Sequence, residues 1–196
     1  MIVSRRRFWC PSSAINCPGE NRNVQSDTAA VRPGEELNAG ALSAYLGVSV
    51  EVEQFPGGHS NLTYLLRAPD REWVLRRGPL GPVAPKAHDM AREYRFLAAL
   101  HPHFPEAPRV DLLCEDPAVI GATFFLMERR RGWVLREHVP VELALGPREI
   151  SELFIDCLAR LHSIPLAPTG LDKLGRPDGF LARQVAGWTE RWRRAA

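Results

Sequence analysis

The sequence predicts an α+β chain in which a five-stranded antiparallel sheet with one inserted helix comes first and helices alone follow. Three observations carry this. Runs rich in Val, Leu, Thr and Tyr recur between residues 50 and 77, joined by turns too short for the long crossover that parallel neighbours need. A stretch with Met90, Tyr94 and Leu97 at helical spacing separates them from two more strand-like runs. Beyond Gly132 apolar residues recur only at intervals of three and four.

Each element has a local reason. Glu35 to Leu46 places Leu37, Ala41, Leu42 and Tyr45 on one helical face, with Gly47 as its stop. Val50 to Phe55 reads as a strand, Pro56 to Asn61 as a connection and Leu62 to Ala68 as a second strand; Pro69 and Asp70 turn the chain into a third, Glu72 to Arg77. Gly78, Pro79, Gly81, Pro82 and Pro85 break regular structure before a helix from Ala87 to Leu100, which Pro102, Pro105 and Pro108 end. Arg109 to Cys114 and Ile120 to Glu128 read as the last two strands, the second carrying the apolar block Phe124 to Met127. Pro147 suits the first position of a helix that reaches Ile164. A final helix, Phe180 to Arg194, carries Leu181, Val185, Trp188 and Trp192 in a stripe for which the chain offers no partner surface. Residues 1–30 read as a disordered tail, 31–130 as a small α+β lobe, and 131–196 as a hinge and the opening of a helical lobe.

Composition narrows the class. With 45 % apolar and 24 % charged residues the chain has the make-up of a soluble globular protein, and no run of about eighteen apolar residues is free of charge, so a membrane-spanning helix is not expected. A formal charge of +2 leaves nucleic-acid binding to local clusters. Those clusters, Arg5 to Arg7, Arg129 to Arg131 and Arg191 to Arg194, read as solvated arginines in an arginine-rich chain, so no nucleic-acid partner is expected. Cys10, Cys17, Cys114 and Cys157 lack the two-residue spacing of a zinc knuckle or redox dithiol, which favours a reduced, cytoplasmic protein. No apolar segment follows Arg5 to Arg7, so a secretory signal is not expected; a start codon assigned too far upstream accounts for this tail equally well.

The chemistry centres on QFPGGHSNLTYLL, residues 54 to 66. Glycines at 57 and 58 permit backbone angles and a close approach that side chains block. Amides near Gly58, His59 and Ser60 could then donate to phosphate oxygens, with Ser60 and Asn61 adding side-chain donors. The same Pro-Gly-Gly turn could equally be a plain hairpin connection. On the third strand Arg76 stands where a cation would neutralise phosphates, and Glu93 stands where an acid would fix that cation. Lys86 and Lys173 are the only lysines among 25 basic residues, so arginine in that place is expected. Arg77 is the rival, but adjacent strand residues face opposite ways, so only one of the two can reach a cleft. His59 reads as a turn residue, and His88, His101 and His103 as surface or cap histidines.

Strand, Gly-rich turn, strand, strand with a cation, helix with an acid, and two strands leading to a linker is the order of a protein-kinase-like small lobe. The segments QFPGGHSNLTYLL, WVLRRGP, AHDMAREYRFLAAL, IGATFFLMERRRG and LARLHSI, between Val31 and Ile164, resemble the aminoglycoside phosphotransferase and choline kinase-like family. Within it they are most similar to the branch fused to, or encoded beside, acyl-CoA dehydrogenases. The resemblance implies ATP- and magnesium-dependent transfer of a phosphoryl group to a small-molecule hydroxyl, with a hydroxyacyl-CoA or an aminoglycoside-like compound as acceptor. It also implies association with an acyl-CoA dehydrogenase, and adenine held by backbone groups of Met127, Glu128 and Arg129. The implied nucleotide contacts are then Gly57, Gly58, His59, Ser60, Asn61, Arg76, Glu93, Met127, Glu128 and Arg129.

One departure stands against these agreements. The family's His-Gly-Asp loop, and the Asp that later binds magnesium, do not occur: His138 and His162 are not followed by Gly-Asp, and Asp172 and Asp178 lack the setting. No catalytic base and no metal ligand are assigned. The chain reads as the front half of a kinase, inactive by itself because phosphoryl transfer rests on positioning and charge neutralisation, with the missing C-terminal half as its natural partner. The alternative is a non-catalytic nucleotide-binding or pseudokinase-like module.

Overall fold

A computed structural model describes residues 27–57, 61–80, 88–132, 135, 139, 143–176 and 178–195. Helix α1 (Ala39–Leu46) begins where the Asn38 side chain accepts from the Ala41 N–H at 2.9 Å, and it ends at Gly47, whose φ of 68° is the left-handed cap that glycine adopts without a Cβ clash. It is shorter than Glu35 to Leu46 because Glu35 is engaged elsewhere. Its carboxylate accepts from Arg32 and Gln54, and its carbonyl accepts from the Tyr64 hydroxyl.

Strands β1 (Glu51–Gln54), β2 (Leu62–Arg67) and β3 (Glu72–Arg77) form the expected antiparallel meander. Helix α2 (Met90–Leu100) follows, capped by Asp89, which accepts from the Arg92 N–H at 2.9 Å. Then come β4 (Val110–Cys114), the one-turn helix α3 (Pro117–Ile120) and β5 (Phe124–Glu128). Ile120 therefore ends a helical turn instead of opening a strand: Asp116 caps that turn, Pro117 suits its first position, and Gly121 closes it at φ 79°. The strand order is β1-β2-β3-β5-β4, every pair antiparallel, so α2 carries the chain past the place that β5 later fills. The α+β architecture is as the sequence predicts.

Alternation along the strands divides the sheet into two faces. Leu62, Tyr64, Leu66, Leu75, Phe124 and Leu126 pack with Leu42 of α1 into the main core. Arg76, Phe125 and Met127 alternate with these and face α2, where Tyr94 meets Phe125 edge to face at 6.3 Å. The Tyr64 hydroxyl, buried in the α1 face, donates to the Glu35 carbonyl at 2.7 Å. Tyr64→Phe should cost about 1 kcal/mol, read as a thermal midpoint lower by roughly 2–4 °C with the circular dichroism spectrum unchanged.

Residues 27–30 are not the end of a loose tail. Ala29 exchanges both backbone hydrogen bonds with Gln54 at 2.9 Å, and the Thr28 hydroxyl donates to Glu53, so this segment is an extra rung beside β1. Gln54, only 1 % exposed, anchors it further: its Oε1 accepts from the Arg32 N–H and its Nε2 donates to Glu35. Buried amides are retained when their polar atoms are paired in this way.

Helix α4 (Pro147–His162), the single turn α5 (Leu166–Thr169), a 3-10 turn at Leu171–Leu174 and helix α6 (Phe180–Ala195) make up the helical part. The two short turns lie between Pro165 and Gly175, where no sequence pattern was long enough to predict them. Leu171 packs with Leu100, Phe104 and Ala107, flanked by Leu161 and Ile164, so a second apolar cluster ties the end of α2 to the helices. The stripe on α6 faces solvent, with Leu181 76 % and Trp192 74 % exposed. No helix among the described residues is long and apolar enough to cross a membrane.

Candidate functional site

Arg76 and Arg77 leave β3 on opposite faces. Arg77 is buried toward α3, where its Nη1 donates to the Ile120 carbonyl at 3.1 Å, one of the carbonyls a helix end leaves unpaired. Arg76 meets α2 instead, and its Nε donates to Glu93 Oε2 at 2.7 Å. Guanidinium and carboxylate thus share one side of the sheet.

The pair belongs to a longer string. Glu93 Oε1 accepts from Asn61 Nδ2 at 3.0 Å, and Asn61 Oδ1 accepts from the His88 Nδ1–H at 2.5 Å. Asn61 stands just before β2, His88 just before the cap of α2, Glu93 in the first turn of that helix and Arg76 near the end of β3. Among the described residues Arg76 is paired through Nε alone, which leaves both terminal nitrogens of its guanidinium available. A cavity of about 500 Å³ opens beside them. Arg76, Phe125 and Met127 line it from the sheet, and His88, Arg92, Glu93 and Phe96 from the α2 side. The volume lies within the range of small-molecule pockets.

The other expected contacts fare differently. Gly58, His59 and Ser60 lie outside the described residues, and Gly57 is exposed at their edge. Asn61 is buried, with its side chain spent on Glu93 and His88, so it holds the acid where a phosphate donor was expected. Met127 reaches the cavity through its side chain. Glu128 does not: β5 is an interior strand, the Glu128 N–H is used by the Arg109 carbonyl at 2.9 Å, and the Glu128 carboxylate accepts from the Arg109 N–H. Arg129 follows the last residue of β5, but its side chain turns away to Glu72 and Asp27 at 2.9 and 2.7 Å. His88, Arg92 and Phe96 escaped prediction as site residues. The only available signal was their placement four residues apart, which reads as any other surface of an amphipathic helix.

At the other end of the same sheet face, Glu72 gathers three arginines. Arg67 Nη1, Arg129 Nη1 and Arg131 Nη2 all donate to its carboxylate, while Arg67 also binds Glu53. Arg129 and Arg131 therefore serve a structural network. Burial pushes the Glu72 carboxyl up, but the Arg129 and Arg131 guanidiniums outweigh it and hold the group below its ordinary 4.5. Glu53 is likewise held below 4.5, chiefly by its hydrogen bond from Arg67 and then by that from Thr28. Groups with lowered folded-state values bind protons more readily when unfolded, so their stabilisation is present above 4.5 and is lost as pH falls through the folded values. The thermal midpoint should drop between about pH 5 and about pH 3, and Glu72→Gln should lower the neutral-pH midpoint while flattening that fall.

A family model described as the phosphotransferase enzyme family matches residues 51–196. The chain belongs to this family. Among similar proteins, acyl-CoA dehydrogenase family member 10 of Mus musculus is 37 % identical over 162 residues, 82 % of this chain and 15 % of its own length. Acyl-CoA dehydrogenase family member 11 of Gallus gallus is 34 % identical over 186 residues, and that of Homo sapiens 32 % over 187, each covering 88 % of this chain and 24 % of the relative. The chain thus spans about a quarter or less of the curated relatives it matches. Among solved structures, a Ralstonia eutropha protein described as an aminoglycoside phosphotransferase superposes with a TM-score of 0.60 at 30 % identity, over 81 % of this chain and 48 % of that one. The kinase-like placement of a strand cation against a helix acid is therefore found in a phosphotransferase family member, with arginine as the cation.

Proposed function

We propose that this phosphotransferase family member binds ATP in the cavity between the sheet and α2, as the nucleotide lobe of an enzyme that phosphorylates a small-molecule hydroxyl. One observation carries the reading: among the described residues Arg76 is held by Glu93 through Nε alone, beside a cavity large enough for a nucleotide, with its two terminal nitrogens given no other partner there and available to phosphate oxygens. Two terminal guanidinium nitrogens match phosphate geometry, and preorganised charge of this kind is what phosphoryl transfer asks of a protein. Phe125 and Met127 supply an apolar wall suited to a base. Gly57 to Ser60 are the backbone donors the proposal adds from the sequence. Among the described residues no three His, Cys, Asp or Glu side chains cluster closely enough to hold a metal ion.

The relatives' names make a hydroxyacyl-CoA the first acceptor class to try, ahead of an aminoglycoside, and an acyl-CoA dehydrogenase the first protein partner. A second reading, a nucleotide-binding module without turnover, is favoured by the lack of any His-Gly-Asp triplet in these 196 residues. Titration with a fluorescent ATP analogue tests the site: saturable binding displaced by ATP, and weakened by Arg76→Ala, is expected. Absent binding, or equal binding by Arg76→Ala, overturns the assignment. ADP formation in the presence of a hydroxyacyl-CoA distinguishes the enzyme from the module.

A further inference from the structure

We infer that Asn61 is a positioning residue that keeps the Arg76 guanidinium free for phosphates, and that His88 sets the orientation in which Asn61 does so; this rests on the nucleotide reading and deepens it. An arginine and a carboxylate left to themselves favour a two-point fork, which would spend a terminal nitrogen of Arg76 on Glu93. Here the pair touches at one point, Nε to Oε2 at 2.7 Å, while Asn61 Nδ2 donates to Oε1 at 3.0 Å and holds the carboxylate in that pose. Asn61 is 8 % exposed, so water competes poorly for that bond.

An asparagine can present either end of its amide to a neighbour. The Glu93 carboxylate only accepts, so Asn61 turns its Nδ2 end there and leaves Oδ1 to accept from His88 Nδ1 at 2.5 Å, a contact that holds the amide in that orientation. His88 holds a φ of 58°, a left-handed conformation uncommon for residues that carry a side chain, although histidine, asparagine and aspartate enter it more readily than most. Strained backbone of this sort persists where surrounding contacts over-determine it. Both carboxylate oxygens of Glu93 are thereby fixed by residues from two different elements. Removing Asn61 would let the carboxylate swing, form the fork and withdraw Arg76 from the cavity.

The test uses the 196-residue chain, with affinities for the fluorescent ATP analogue, competition by adenosine, and thermal midpoints. Asn61→Ala should bind the analogue about tenfold more weakly while adenosine competition changes little, since only the phosphate contacts depend on Arg76. His88→Phe should show the same pattern. His88→Asn should recover most of the loss, because asparagine keeps an N–H donor and accepts the left-handed backbone. Asn61→Ala added to Arg76→Ala should have no further effect, where independent roles would add. The inference is overturned if Arg76→Ala weakens binding but Asn61→Ala does not, or if the two losses add in full. Should Asn61→Ala fail to fold, His88→Phe decides: affinity equal to the unaltered chain sinks the proposal. If Arg76→Ala binds like the unaltered chain, or that chain does not bind, the nucleotide reading itself fails and the inference with it.

Discussion

Arg76→Ala is expected to weaken binding of a fluorescent ATP analogue by roughly 10- to 100-fold, the cost of losing hydrogen bonds from a charged donor to phosphate. The same change should lower stability by no more than about 1 kcal/mol. That disparity follows from exposure. The side chains of Arg76 and Glu93 are 33 % and 36 % exposed, so water screens the pair and its loss falls well short of the roughly 3–5 kcal/mol that breaking a buried pair costs. Arg77→Ala should behave in the opposite way. Arg77 is 6 % exposed and tied to the Ile120 carbonyl, so its removal should cost about 1–3 kcal/mol in stability and leave nucleotide affinity nearly unchanged. Analogue titration and urea unfolding of the two variants settle the matter. Equal losses of affinity in both would mean that β3 is not aimed as described.

Phe125→Ala should be the most destabilising single change near the site, at about 3–5 kcal/mol by urea denaturation. Phe125 is fully buried on an interior strand, between β3 and β4, and its ring is the partner of Tyr94 on α2. Truncation leaves a void that this strand cannot collapse to fill, because it is bonded on both edges. It also removes the contact that seats α2, and with it Glu93. Phe125→Leu, which keeps most of the volume, should cost about 1 kcal/mol. A loss below about 1 kcal/mol for the alanine variant would show that α2 is seated by Met90 and Leu100 instead.

Much of this molecule was legible along the chain. β3 falls at Glu72 to Arg77 as expected, β1 and β2 within a residue or so, and α4 and α6 differ only at their ends. Where the chain was misread, a local interaction decided. Asn38 and Asp89 cap α1 and α2 several residues later than apolar spacing suggested, since a helix starts where its first free N–H groups find acceptors. The stretch before β5 became a helical turn because Asp116, Pro117 and Gly121 suit its cap, first turn and exit. Glu128 was misjudged for a different reason: whether a backbone N–H is free depends on the neighbouring strand, and nothing in its own segment shows that β4 will return beside β5.

By itself the amino-acid order determined where most of the strands and longer helices fall, because periodicity is a property of a single segment, and its motifs, in their order, carried the resemblance to the phosphotransferase family and the expectation that Arg76 and Glu93 meet. Tertiary structure alone decided that β5 lies between β3 and β4, that Arg129 and Arg131 serve Glu72, and that Asn61 and His88 complete the string behind Arg76. Those hydrogen bonds join residues 27 to 59 positions apart in the chain, from His88 and Asn61 at 27 to Arg131 and Glu72 at 59. Contacts at such separations arise only when the sheet brings distant segments together and burial sets which polar groups must pair.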